Sequence, residues 1–134
     1  MRPLNLAVLA LGVMATAAHA QQADALCAEA ADRYREIFKR EAAAEPDRTV
    51  LMYKYRFCPA VVRIRPGDRL RYINVDKRTT HSVWLKDAGQ PESDRAFPEG
   101  VIEIDTRLPV GEHKLLCGPH WQSDHMVGTI IVEN

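Results

Sequence analysis

The sequence predicts an all-β sandwich preceded by one helix. Two observations carry that prediction. From Thr49 onward the chain breaks into short alternating apolar segments separated by Pro and Gly, the pattern of a sheet protein with many turns. Before that point, apolar residues recur at three- and four-residue spacing, the period of an amphipathic helix. A chain of 134 residues with 46% hydrophobic and 27% charged residues has the makeup of an ordinary globular domain rather than a disordered one.

Taken in order, residues 1–20 (MRPLNLAVLALGVMATAAHA) place Arg2 ahead of an apolar run and end on Ala18 and Ala20. This is the form of a secretory signal with a small-residue cleavage site. The expected division is therefore a signal peptide over 1–20, a helical extension over 21–46 and a sheet domain over 47–134. Removing the signal takes one Arg and no acid, leaving 17 basic and 18 acidic side chains. Such neutrality offers no basic footprint for nucleic acid. The signal is also the only long apolar stretch, so no membrane insertion is expected once it is gone.

Within the extension, residues 24–45 read as a helix. Asp24 suits its N-cap, Leu26, Ala30, Tyr34, Ile37 and Phe38 form the apolar stripe, and Pro46 supplies the stop. The expected role of this helix is to cover an edge or end of the sheets. Seven strands follow at 49–55, 61–65, 69–74, 81–85, 101–106, 112–117 and 127–133, read as an antiparallel sandwich or barrel. Turns fall at Arg65-Pro66-Gly67-Asp68 and Leu108-Pro109-Val110-Gly111, and the polar stretch 86–100 reads as a loop.

Export changes the meaning of the cysteines. Cys27, Cys58 and Cys117 lie in a chain bound for a compartment where disulfides persist. Three cannot all pair internally, and the count alone does not say which is left over. The chemistry concentrates near the C-terminus, in Cys117-Gly-Pro-His120-Trp-Gln-Ser-Asp-His125-Met126. A thiolate, an imidazole and a thioether lie within ten residues, bracketed by two predicted strands. A further imidazole, His81, begins an earlier strand. Two imidazoles, a thiolate and a weak thioether are the donor set of a mononuclear blue-copper site. A structural zinc site is the plain alternative, but the second closely spaced ligand pair is missing. A Cys-His hydrolase would need an orienting Asn or Asp that no motif supplies.

At this point the sequence resembles the cupredoxins, in particular the plastocyanin, pseudoazurin and amicyanin type, over roughly residues 49–134. The resemblance rests on Phe57-x-Pro59-x-x-Val62-x-Ile64-x-x-Gly67-Asp68-x-Leu70-x-Tyr72-x-Asn74, on Gly111-x-His113-x-Leu115-x-Cys117-x-Pro119-His120, and on Met126-Val-Gly-x-Ile-x-Val. It implies a Greek-key β-sandwich of about seven strands, here with an added N-terminal helix. It also implies one copper ion held by His81, Cys117 and His120, with Met126 as axial ligand.

Three departures qualify the match. Five residues separate His120 from Met126, so His125 competes for the axial role on spacing alone, and the register of the last strand favours Met126. Ser82 stands where the family commonly has Asn, and its hydroxyl is expected to serve as a donor beside the cysteine sulfur. His113 replaces a frequent aromatic, and its alternation with Leu115 aims it inward as a core histidine. Pro119 has no N–H to offer the sulfur. With Cys117 assigned to the metal, Cys27 and Cys58 remain as the disulfide pair.

The resemblance implies a one-electron carrier of the periplasm, not an enzyme, cycling between Cu(I) and Cu(II). It would exchange electrons with a redox donor and a redox acceptor, and a monomer is expected. Trp121, beside a ligand histidine, is a candidate for partner docking. The alternative function is copper binding for tolerance or delivery, although no Met- or His-rich tract accompanies the site.

Overall fold

The structure is a computed structural model that describes residues 9–45 and 47–134, with side chains described from residue 17 onward. Helix α1 spans Leu9–Phe38, followed by a single 3-10 turn at Ala42–Ala44. Seven strands follow: β1 (Arg48–Tyr53), β2 (Arg56–Cys58), β3 (Val61–Ile64), β4 (Leu70–Asn74), β5 (Val101–Glu103), β6 (Gly111–Leu116) and β7 (Val127–Val132). They form two sheets, ordered β2-β1-β4-β5 and β3-β7-β6. Among the described residues, no helix is long and apolar enough to cross a membrane.

The sheets are mixed, which corrects the antiparallel expectation. β1 runs parallel to β4 with Val50 opposite Tyr72, and β3 runs parallel to β7 with Val62 opposite Ile130. The core lies between the sheets, where Val50, Met52, Leu70 and Tyr72 meet Val62, Ile64, Leu115, Ile130 and Val132. Alternation sends the intervening residues of the first sheet to its outer face. There Leu51, Ile73 and Val75 pack against Ala30 and Tyr34 of α1. The centre of the first sheet is thus buried on both faces, with β4 buried at four of its five positions, while the edge strand β5 has no buried residue.

The helix ends at Phe38, seven residues before its predicted end. Lys39 takes a left-handed backbone (φ 58°), and its N–H reaches the Arg35 carbonyl at 2.9 Å. The expected stop, Pro46, lies outside the described residues. The chain must turn back here to deliver β1 to the sheet. In that turn the Glu45 side chain accepts a hydrogen bond from the Tyr34 hydroxyl and pairs with Arg40 at 2.6 Å. At the other end the helix continues back through Asp24 and Ala20 to Leu9, so Asp24 caps nothing. The expected signal cleavage point lies within this continuous helix, and residues 1–8 of that segment lie outside the described residues.

Three further strands differ, and the one expected over 101–106 stops at Glu103. The segment read as one strand over 49–55 ends at Tyr53, and Lys54 and Tyr55 form a two-residue turn with φ values of 44° and 62°. Such a hairpin turn requires two left-handed residues and is usually signalled by Asn-Gly. Lys-Tyr carries no such signal, so β2 was not anticipated. The strand expected at 81–85 is instead two isolated bridges, His81 with Ala96 and Trp84 with Leu116. Its amides go to unlike partners: Ser82 N–H faces the Cys117 sulfur at 3.5 Å, and Val83 N–H reaches Ser93 Oγ at 3.0 Å. A backbone whose donors serve a sulfur and a hydroxyl forms no regular ladder.

Cys27 and Cys58 are joined by a disulfide with sequence separation 31. It fastens α1 to the end of β2, and Cys117 is the one free cysteine.

Candidate metal centre

Cys117 follows β6 directly, and its N–H reaches the Met126 carbonyl at 3.1 Å, just ahead of β7. The antiparallel β6–β7 pair therefore brings both ends of the 117–126 loop together. Inside the loop, the His120 and Trp121 amides return to the Cys117 carbonyl at 3.1 and 2.8 Å. This compact turn brings His120 Nδ1 within 3.5 Å of Cys117 Sγ. From the other side, His81 places its Nδ1 3.7 Å from the same sulfur.

These three candidate ligand atoms lie within 4.8 Å of one another, with His81 and Cys117 buried and His120 half-buried. Burial pushes the Cys117 thiol above its ordinary pKa, while the Ser82 and His120 backbone amides pull it down. Burial and the neighbouring His81 hold the His120 imidazole below its usual range. Desolvation thus favours the neutral forms in the metal-free protein. A soft sulfur donor and two imidazoles at one buried point can hold a single transition-metal ion.

Other sequence candidates fall in distinct places. Met126 is fully buried in the cluster that contains Cys117, whereas His125 is exposed with a left-handed backbone (φ 52°). Pro119 is exposed. The Ser82 hydroxyl donates to Glu92 Oε1 at 2.7 Å and accepts from Gly118 N–H at 2.9 Å. It ties the segments that carry the candidate ligands His81 and Cys117 together, while the donor facing the sulfur is the Ser82 backbone amide, not the expected hydroxyl. His113 is half-buried rather than core, with its Nε2 2.6 Å from the Pro109 carbonyl. Trp121 is half-buried, and the Lys86 ammonium lies over both its ring and that of Trp84, at 5.6 and 5.3 Å.

Sequence reasoning missed three neighbours of the site. The Asp76 carboxylate lies 2.6 Å from His81 Nε2. Glu92 reaches the loop over Gly118 from the 86–100 segment. Tyr55, in the unanticipated hairpin turn, sets its ring edge-on to His120 with centroids 4.9 Å apart. None belongs to a metal-ligand motif. Asp76, five residues before His81, was the only one legible as a nearby carboxylate.

A two-sheet sandwich that gathers one buried cysteine and two histidines at the loop after its penultimate strand defines a cupredoxin-like domain. Comparison with protein-family models and with curated proteins finds no match. Solved structures do match. Amicyanin from Paracoccus versutus superposes with a TM-score of 0.56 at 22% identity, covering 69% of this chain and 88% of that one. An oxidized single-substitution variant of amicyanin gives 0.58 at 19% identity, covering 67% and 85%. A copper-containing nitrite reductase from Thermus scotoductus gives 0.57 at 23% identity, covering 71% of this chain but 24% of that one. The fold is that of the cupredoxins.

Proposed function

We propose that this chain holds one copper ion and carries single electrons between redox proteins of the periplasm. The observation that carries the reading is the buried Cys117 thiol with an imidazole nitrogen on each side, His81 Nδ1 at 3.7 Å and His120 Nδ1 at 3.5 Å. The donor set fits copper: sulfur suits the reduced ion and imidazole suits both oxidation states. His81, Cys117 and His120 would hold the ion, and the buried Met126 thioether would supply a further, weaker donor. When bound, copper supplies a one-electron couple between Cu(I) and Cu(II).

The rest of the chain restricts movement at that point. His81 is held by backbone bonds to Ala96 at 3.1 and 2.8 Å, and the Cys117 and Met126 backbones are bonded to each other. Ligands anchored to paired backbone change position little when charge changes, which suits electron transfer more than copper delivery. His120, half-buried and followed by Trp121, over whose ring the Lys86 ammonium lies, is the edge at which we place docking of donor and acceptor. We assign no substrate chemistry to the site. Residues 1–20 are read as the export signal and the mature chain as a monomer.

Absorption and EPR spectra of the Cu(II)-loaded protein test this reading. An intense visible sulfur-to-copper band is expected, together with fast, reversible reduction in stopped flow. Absence of the band would remove the copper site. A slow couple with readily exchanged copper would instead favour copper tolerance or delivery.

A further inference from the structure

Asp76 lies beyond the end of β4, 8% exposed, and its carboxylate meets two donors from separate elements. One is His81 Nε2, at 2.6 Å. The other is the Lys54 backbone N–H in the β1–β2 turn, 3.2 and 3.3 Å from the two carboxylate oxygens. Asp76 is itself fixed, its N–H donating to Asn74 Oδ1 at 3.0 Å, while the Asn74 amide donates to the Thr79 and Ala96 carbonyls at 2.7 and 2.9 Å. The His81 ring is fully buried, so a ring N–H without an acceptor would carry the penalty of an unmet buried donor.

We propose that Asp76 is the positioning residue of the centre. As an anion it accepts from His81 Nε2–H, which fixes the tautomer and turns the Nδ1 lone pair toward Cys117 Sγ. A carboxylate on the far nitrogen of a ligand imidazole makes that ring a stronger donor. It also places a fixed negative charge one ring away from the metal, which favours Cu(II) over Cu(I). Through Lys54 N–H the same carboxylate holds the turn that sets Tyr55 against His120. The inference rests on the copper reading above and names how that site is tuned.

Asp76→Asn keeps the side chain's size and one acceptor oxygen, which can still face both His81 Nε2 and the Lys54 N–H as Oδ2 does, so the change it makes is the loss of the negative charge. The test compares wild type and D76N, both copper-loaded, by visible spectrum and equilibrium redox titration. The expected D76N protein retains the sulfur-to-copper band while its Cu(II) affinity falls about tenfold relative to Cu(I), near the low end of effects seen for such partners. A tenfold change corresponds to a potential about 59 mV more positive for one electron. An unchanged potential in a D76N protein that keeps the band overturns the inference alone. A wild-type protein without the band overturns the copper reading and this inference with it. If D76N does not fold, NMR of the Cu(I)-loaded wild type decides: a slowly exchanging, downfield His81 Nε2 proton supports the assignment, and rapid exchange with solvent overturns it.

Discussion

The Glu92 carboxylate fills the space that a Cβ on Gly118 would occupy. Glu92 comes from the polar 86–100 loop, and Gly118 follows the candidate ligand Cys117. Ser82 joins them, donating to Glu92 and accepting from the Gly118 amide. The blocking atoms are the far end of a flexible side chain, so Gly118→Ala is expected to cost little stability, about 1 kcal/mol or less. It should nevertheless expel Glu92 from the Ser82 hydroxyl. Glu92→Ala should shift the Cu(II) absorption band as G118A does, and the double variant should shift it no further. A double-mutant cycle on band position and thermal midpoint measures that coupling. Fully additive shifts would show that Glu92 and Gly118 act independently.

Two adjacent residues, Met126 and His125, are the candidates for the proposed fourth donor. Met126 is buried and His125 exposed, so His125→Ala is expected to leave the spectrum and potential unchanged. Met126→Leu conserves volume and removes the sulfur, so it should alter both while sparing the fold. Spectra that respond to H125A and ignore M126L would reverse the assignment.

The Cys27–Cys58 disulfide closes a segment of 31 residues. Chain-entropy reasoning gives it roughly 3–4 kcal/mol. Replacing both cysteines by Ser should lower stability by about that amount in denaturant titration. The copper spectrum should persist, because the sandwich core and the Cys117 loop are distinct from the cluster under α1.

Docking of α1 should weaken in acid. The Tyr34 hydroxyl, then Arg40 and Arg71, hold Glu45 below the usual carboxylate range, against the opposing effect of burial. A depressed folded-state pKa contributes stability that is complete above the unfolded value, about 4.3, and is lost as pH falls through the lower folded value. Denaturation midpoints measured from pH 7 to pH 3 should therefore fall at the acid end, and less steeply in Glu45→Gln. An E45Q profile identical to wild type would exclude Glu45 as the source.

The outline of this domain was legible because local pattern dictates it. Alternating apolar residues marked β3, β4, β6 and β7, and the Cys117–Met126 run carried its donors within a single loop. The helix stripe through Ala30 and Tyr34 was equally plain, since both residues pack on the sheet. What escaped was set by partners distant in sequence. The turn at Lys54–Tyr55 holds two left-handed residues without Asn or Gly, and an aspartate 22 residues away accepts its amide. His81–Leu85 has a strand's composition, yet its amides serve a thiol, a hydroxyl and two separate carbonyls.

Side-chain chemistry and hydrophobic period are local properties, and from them the class of fold and the kinds of donor atom available could be read directly. That the sheets are mixed, that Asp76 faces the far side of His81 and that Glu92 lies over Gly118 follow from long-range packing alone. Each depends on which distant backbone and side-chain groups meet after the apolar faces are buried, and no local period encodes that meeting.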